Sequence, residues 1–169
     1  MRINRILRTL IILVILSSAI GCDQISKSIV RQRVGYNEEF RFLYNHLTLT
    51  KIENTGAFLS LGQSLPKLLK VILLILMPLI VLGLAIFYLL SNKNLSKVSV
   101  IGISFIIGGG VGNIYDRIVY GSVTDFLHID FVLFQTGIFN MADVSVMAGM
   151  FALLFESSFG RMINKKAEA

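Results

Sequence analysis

From Val71 to Leu90 the chain passes through twenty residues without a charge. That is the length a helix needs to cross a bilayer core, roughly 20 apolar residues. In hydrocarbon each backbone polar group must be satisfied within the segment, so the run reads as a helix, with Pro78 a tolerated kink. Three more stretches follow this pattern. Val98 to Tyr115 is free of charge until Asp116 and carries Gly108, Gly109, Gly110 and Gly112, whose small size lets another helix or a substrate come close. Gly137 to Phe155 is broken only by Asn140 and Asp143. Ile6 to Gly21 is shorter and contains Arg8, which has to snorkel. The reading is an α-helical integral membrane protein with spans at about 6–22, 70–90, 98–115 and 138–156 and an outer loop at 23–69. Together they form one membrane-embedded domain over 1–169.

Charge supports this reading. Only 15% of residues are charged, against about 25% in soluble domains. The net charge of +6 does not point to nucleic acid, because the basic residues gather beside apolar spans and do not interleave with aromatics. A single cysteine, Cys22, rules out an intrachain disulfide and a thiolate metal cage. Neither His46 nor His128 has a partner at ligand spacing, so no metal and no cofactor are expected.

With the N-terminus inside, the short inner segments hold Arg2, Arg5, Arg8, Lys93, Lys97, Arg161, Lys165 and Lys166. Basic residues in short loops set orientation, so both termini are expected in the cytoplasm. The outer face then receives Asp23, Glu38, Glu39, Glu53, Asp116, Asp125, Asp130 and Asp143. The long outer loop opens with a helix-compatible stretch near Ser26 to Arg33. It then alternates through Phe40 to Tyr44 and again around Leu47 to Thr50, the mark of short strands with one apolar side. The expectation is a small sheet lying on the membrane surface beside a short amphipathic helix. The N-terminal segment also resembles a secretory signal, and Ala19-Ile-Gly21-Cys22 resembles a lipobox. Three further spans follow it, so it reads as a retained span with Cys22 a small apolar residue at its end.

A carboxylate in or near hydrocarbon costs about 2.5–3.5 kcal/mol at a helix centre, so it is usually functional. Asp143 follows Asn140 by three residues, placing both on one helix face. It serves equally as an acid/base group or as a carboxylate at a helix start capped by Asn140. Two such acids can share a proton, one activating water while the other protonates the carbonyl oxygen or leaving amine. For a partner, Asp116 sits beside Arg117 and suits an ion pair, Asp130 suits solvent, and Asp125 lies in an apolar, strand-like stretch. Position alone does not choose between Asp116 and Asp125.

Five segments in order resemble the lipoprotein signal peptidases, the type II signal peptidases of bacteria. They are Asp23 to Lys27, Asn54 to Ser60, Gly108 to Arg117, Val123 to Phe126 and Phe139 to Asp143. The resemblance implies an aspartic endopeptidase that removes signal peptides from diacylglyceryl-modified prolipoproteins, cleaving just before the lipidated cysteine. It would work as a monomer among membrane lipids, with its site at the outer face of a bacterial cytoplasmic membrane. By the same resemblance Asp125 and Asp143 are the catalytic pair, and Asp23, Lys27, Asn54, Gly56, Asn113, Asp116, Arg117, Asn140 and Ala142 shape the site or hold substrate. Among these, Asn54 and Asn113 can bond substrate amides, Arg117 can meet Asp116 or a lipid phosphate, and Gly56 permits close backbone approach. The outer sheet corresponds to the family's substrate-covering cradle. Gly110 and Thr124 depart from the usual alanine and valine. The competing expectation is a proton-coupled transporter, whose carboxylates would line a path through the midplane between inverted repeats.

Overall fold

The computed structural model describes residues 4–57, 61–131 and 133–167, and of residues 159–167 the backbone only. Among the described residues, four helices are long and apolar enough to cross a membrane. They are α1 (Arg5–Arg33), α2 (Lys67–Ser91), α3 (Lys97–Val119) and α4 (Met141–Ala167), the last apolar over Met141–Ser158. Strands β1 (Glu39–Phe42) and β2 (Leu47–Asn54) lie between α1 and α2, and β3 (Val123–Ile129) lies between α3 and α4. The three strands form one antiparallel sheet in the order β1-β2-β3.

The first helix departs from expectation. It does not stop near Gly21 but runs to Arg33, so the stretch from Ser26 to Arg33 is its C-terminal end and not a separate amphipathic helix. Asp23 and Lys27 made the segment look finished. They are four residues apart, wholly buried and paired with each other at 2.8 Å, so they do not interrupt the helix. Cys22 therefore sits inside a continuous helix, exposed, and not at a helix end. Arg8 does not snorkel. Its guanidinium donates to the carbonyls of Leu89 and Asn92 (2.9 Å to the latter), where the end of α2 leaves carbonyl oxygens without helical partners.

In α2 one wider turn, Ile72–Leu76, precedes Pro78. Proline has no N–H to give to the carbonyl four residues back, and a π-type turn accommodates that gap. The strands fall where alternation placed them. A register shift between Leu49 and Ile52 then brings Ile52 opposite Asp125 and Asn54 opposite Val123. Gly121, at φ +77°, turns the chain from α3 into β3.

Helix α3 is central, with 44% of its apolar window buried. Its glycines explain how three helices reach it. A methyl on Gly108 would lie 2.7 Å from Ala19 of α1, one on Gly110 would lie 2.8 Å from Leu82 of α2, and one on Gly109 would collide with the Ala142 carbonyl of α4. The stripe is thus filled by neighbouring helices. Ile12, Leu89, Val100 and Ile107 close the core where α1, α2 and α3 meet.

This packing predicts that Gly109→Ala lowers stability by about 1–3 kcal/mol, the usual cost of overpacking. Gly83→Ala, where a methyl meets nothing within 4 Å, should be neutral or slightly stabilising. Thermal unfolding of both variants in detergent checks this.

Candidate active site

Two local structures bring Asp125 and Asp143 together. Asp125 lies mid-strand in β3, and the segment before α4 is tied to that strand. Phe139 accepts at its carbonyl from the N–H groups of Phe126 (3.0 Å) and Leu127 (2.9 Å), and its own N–H donates to Leu127 (2.8 Å). The start of α4 is thereby held beside β3.

That start is a reciprocal cap. The Asn140 side-chain oxygen accepts from the Asp143 backbone N–H at 3.0 Å, and Asp143 Oδ2 accepts from the Asn140 backbone N–H at 3.1 Å. The capping and chemical readings of Asp143 are therefore compatible, since the cap fixes where the carboxylate points. Asn140 is wholly buried and also reaches across. Its Nδ2 donates to Asp125 Oδ1 at 2.6 Å and to Asn113 Oδ1 at 3.2 Å. One residue thus holds both carboxyl groups, Asp125 through its side-chain amide and Asp143 through its backbone N–H.

The remaining oxygens are met in the same way. Asn54 Nδ2 donates to Asp125 Oδ2 at 3.0 Å, and Asn113 Nδ2 donates to Asp143 Oδ1 at 2.9 Å. Asn54 and Asn113, expected to bond substrate, are here engaged with the carboxylates. Asn54 also accepts from the Gly56 N–H (2.9 Å) and donates to the Ala57 carbonyl, folding the chain back at the site's edge. Arg117 does not pair with Asp116; it donates to the carbonyls of Asn113 (3.2 Å) and Gly56 (2.9 Å). Residues 58–60, the end of the second motif, lie outside the described residues.

Beneath this lies a charged layer in which Asp23, Lys27 and Asp116 have no exposure. Lys27 Nζ donates to Asp23 Oδ2 (2.8 Å) and Asn113 Oδ1 (2.9 Å) and is ion-paired with Asp116 Oδ2 at 2.9 Å without hydrogen-bond geometry. Asp23 Oδ1 accepts from the Ala142 N–H at 2.9 Å. Gly112 lets Asp23 approach, since a methyl there would fall 2.5 Å from its Oδ2. Asp116 pairs with Arg31 at 3.0 Å, and Arg31 lies over the Tyr120 ring.

Sequence reasoning passed over Arg31, Gln24, Glu53 and the role of Thr124. Gln24 donates to both Asp23 and Asp116, and Thr124 accepts from Arg31 (2.7 Å) while donating to Glu53 (3.0 Å). The spacing Asp23, Lys27, Arg31 on one helix face was the signal available for Arg31. Asp130 is exposed, as expected for a loop acid. Among the described residues no group of three His, Cys, Asp or Glu side chains could hold a metal ion. The carboxylates gather at one end of the bundle and do not follow a path through its middle.

A family described as Signal peptidase (SPase) II matches residues 12–159. The chain is 38% identical over 144 residues to a lipoprotein signal peptidase of Streptococcus pneumoniae (strain ATCC BAA-255 / R6), covering 85% of this chain and 90% of that one. It is 39% identical over 115 residues to a lipoprotein signal peptidase of Wigglesworthia glossinidia brevipalpis, covering 67% and 72%. A solved structure, a bacterial membrane enzyme determined by the in meso method at 2.3 Å resolution, superposes with a TM-score of 0.80. It covers 91% of this chain and 90% of its own at 23% identity, a likeness of fold.

Burial pushes the Asp125 carboxyl up to about 6 from its ordinary 3.8. Hydrogen bonds from Asn54 and Asn140 pull it down, the charge of Asp143 adds to the rise, and Lys27 opposes it. The fold therefore favours the neutral acid. That contribution is full below about pH 4 and is lost as the pH rises through about 6, a swing of about 3 kcal/mol. Thermal unfolding of wild type and Asp125→Asn, from roughly pH 4 to 7, should show the wild type losing that amount relative to the variant. A constant difference across the range would contradict the burial effect.

Proposed function

Because the chain belongs to the signal peptidase II family, bacterial membrane proteases that remove lipoprotein signal peptides, we propose that it is an aspartic endopeptidase. In this reading Asp125 and Asp143 activate the attacking water and protonate the scissile amide. The observation that carries the proposal is Asn140, whose one buried side chain and backbone N–H hold both carboxyl groups.

Charge balance favours a shared proton. Asp23, Lys27, Asp116 and Arg31 sum to zero beneath the site. The layer above holds Arg117 with Asp125 and Asp143, one negative charge in excess when both acids are ionised. A single proton on the pair makes that layer neutral, which a poorly solvated site favours. The pair titrates as a unit. The ionised carboxylate takes a proton from water as the water oxygen bonds to the amide carbon. The protonated partner gives its proton to the carbonyl oxygen. When the tetrahedral diol collapses, one hydroxyl returns its proton to the carboxylate that gave it. The C–N bond breaks and the nitrogen leaves with the proton taken from water, which restores a single proton on the pair.

The substrate in this reading is a prolipoprotein whose cysteine carries diacylglycerol. Its acyl chains hold the scissile bond, just before that cysteine, at the depth of the pair, at about 0.8 kcal/mol per buried CH₂. Both termini are placed in the cytoplasm and the site at the outer face, following the basic inner segments. Residues 1–169 act as one domain. Asp23, Lys27, Asn113, Asp116 and Ala142 set the geometry, while Asn54, Gly56 and Arg117 form the rim that the substrate passes.

Cleavage of a diacylglyceryl-modified prolipoprotein by purified variants tests this. Asp125→Asn and Asp143→Asn should fold and lose at least about a hundredfold in rate, the low end of acid/base contributions. Asp116→Asn should be less stable but still cleave, and a chelator should leave the wild-type rate unchanged. Cleavage by Asp125→Asn would dismiss the pairing.

A further inference from the structure

Away from the carboxylates, the outer end of α1 and all three strands enclose an open groove of about 450 Å³. Its size falls within the range of small-ligand pockets, roughly 300–1,000 Å³. Val30, Val34 and Phe126 form a buried apolar floor. Ile29, Phe40 and Phe42 form the walls and stay 56, 44 and 50% exposed. Strand β1 accounts for the open walls. Phe40 and Phe42 alternate with Glu39 and Arg41, so both rings lie on one side of an edge strand. The groove's single charged residue is Arg33, which is exposed. Among the described residues no carboxylate pairs with it.

Two observations identify what fills the groove. Ile25 and Ile29 are 64 and 56% exposed on a helix long and apolar enough to cross a bilayer. Ile29 belongs both to that surface and to the groove wall, so an acyl chain can pass from the bilayer into the groove without crossing water. Arg33 stands one turn beyond Ile29, about 6 Å further along the helix, which places a fixed cation where a lipid phosphate follows its chain. We propose that the groove binds one acyl chain of an anionic membrane phospholipid, with its phosphate against Arg33. No groove side chain is hydrogen-bonded to the carboxyl groups of Asp125 or Asp143. Phe126 also points away from its neighbour Asp125, as adjacent strand residues do. The groove is therefore distinct from the place where a scissile bond would lie. The proposal rests on α1 crossing the membrane and not on the peptidase reading.

The test uses full-length protein in phosphatidylcholine nanodiscs containing a trace of phosphatidylglycerol with a photoreactive group on its acyl chain. Labelled positions are mapped by peptide mass spectrometry. Phe40 and Phe42 should be labelled, and unlabelled phosphatidylglycerol should compete about fivefold better than phosphatidylcholine, the weight of one basic residue near an anionic surface. Arg33→Gln should abolish that preference and keep the label. Ser26→Trp, which fills the groove, should lose the label on β1 while labelling of α2 persists. Ile29→Trp, at an exposed position, serves the same purpose if Ser26→Trp does not fold. Labelling of α2 without β1 would overturn the proposal, as would labelling that survives both tryptophans. So would displacement by a diacylglyceryl-modified peptide but not by phosphatidylglycerol, because the occupant would then be substrate.

Discussion

A lysine with no access to water holds the site together. Lys27 donates to Asp23 from its own helix and to Asn113 from α3, and it lies as an ion pair against the Asp116 carboxylate, also of α3. Removing an ammonium from water costs several kcal/mol, which here is offset by two hydrogen bonds and the charges of two carboxylates. That pairing fixes the contact between α1 and α3. It also fixes an ambiguity, because an amide can present either end to its surroundings. With the lysine on its oxygen, Asn113 must turn its NH₂ toward Asp143. Asp23 carries the constraint into α4 through the Ala142 N–H. The fine geometry at the carboxylates is thus an outcome of charge satisfaction one layer below.

Much of this was legible in the residues, and what was not has physical reasons. The four spans were legible because bilayer thickness sets a length that sequence must meet. The strands were legible because their side chains alternate. The end of α1 was not, since a buried pair four residues apart looks in sequence like two charges leaving the membrane. Arg8 misled in a similar way. Its partners are backbone carbonyls more than eighty positions distant, which hydropathy does not encode. The Asn140–Asp143 spacing announced a helix start. The choice of Asp125 over Asp116 as its neighbour depended on Phe139 pairing with β3, a contact with no local signature.

The two departures from the usual family pattern become intelligible in space. Thr124 is wholly buried and uses its hydroxyl to join Arg31 to Glu53, a bond a valine could not make. Gly110 faces Leu82 so closely that an alanine would require that leucine to move. Each reflects this chain's own neighbours, and neither touches the carboxylates.

The guanidinium of Arg8 at the end of α2 bears on how such a chain can be handled. The first segment has the look of an address label, basic then apolar, of a kind commonly exchanged between proteins in expression work. Here it supplies a structural tie that closes the carbonyl end of another helix. A substitute leader of equal hydropathy would insert as well and leave those carbonyls open. In this chain the part that reads as interchangeable is structural.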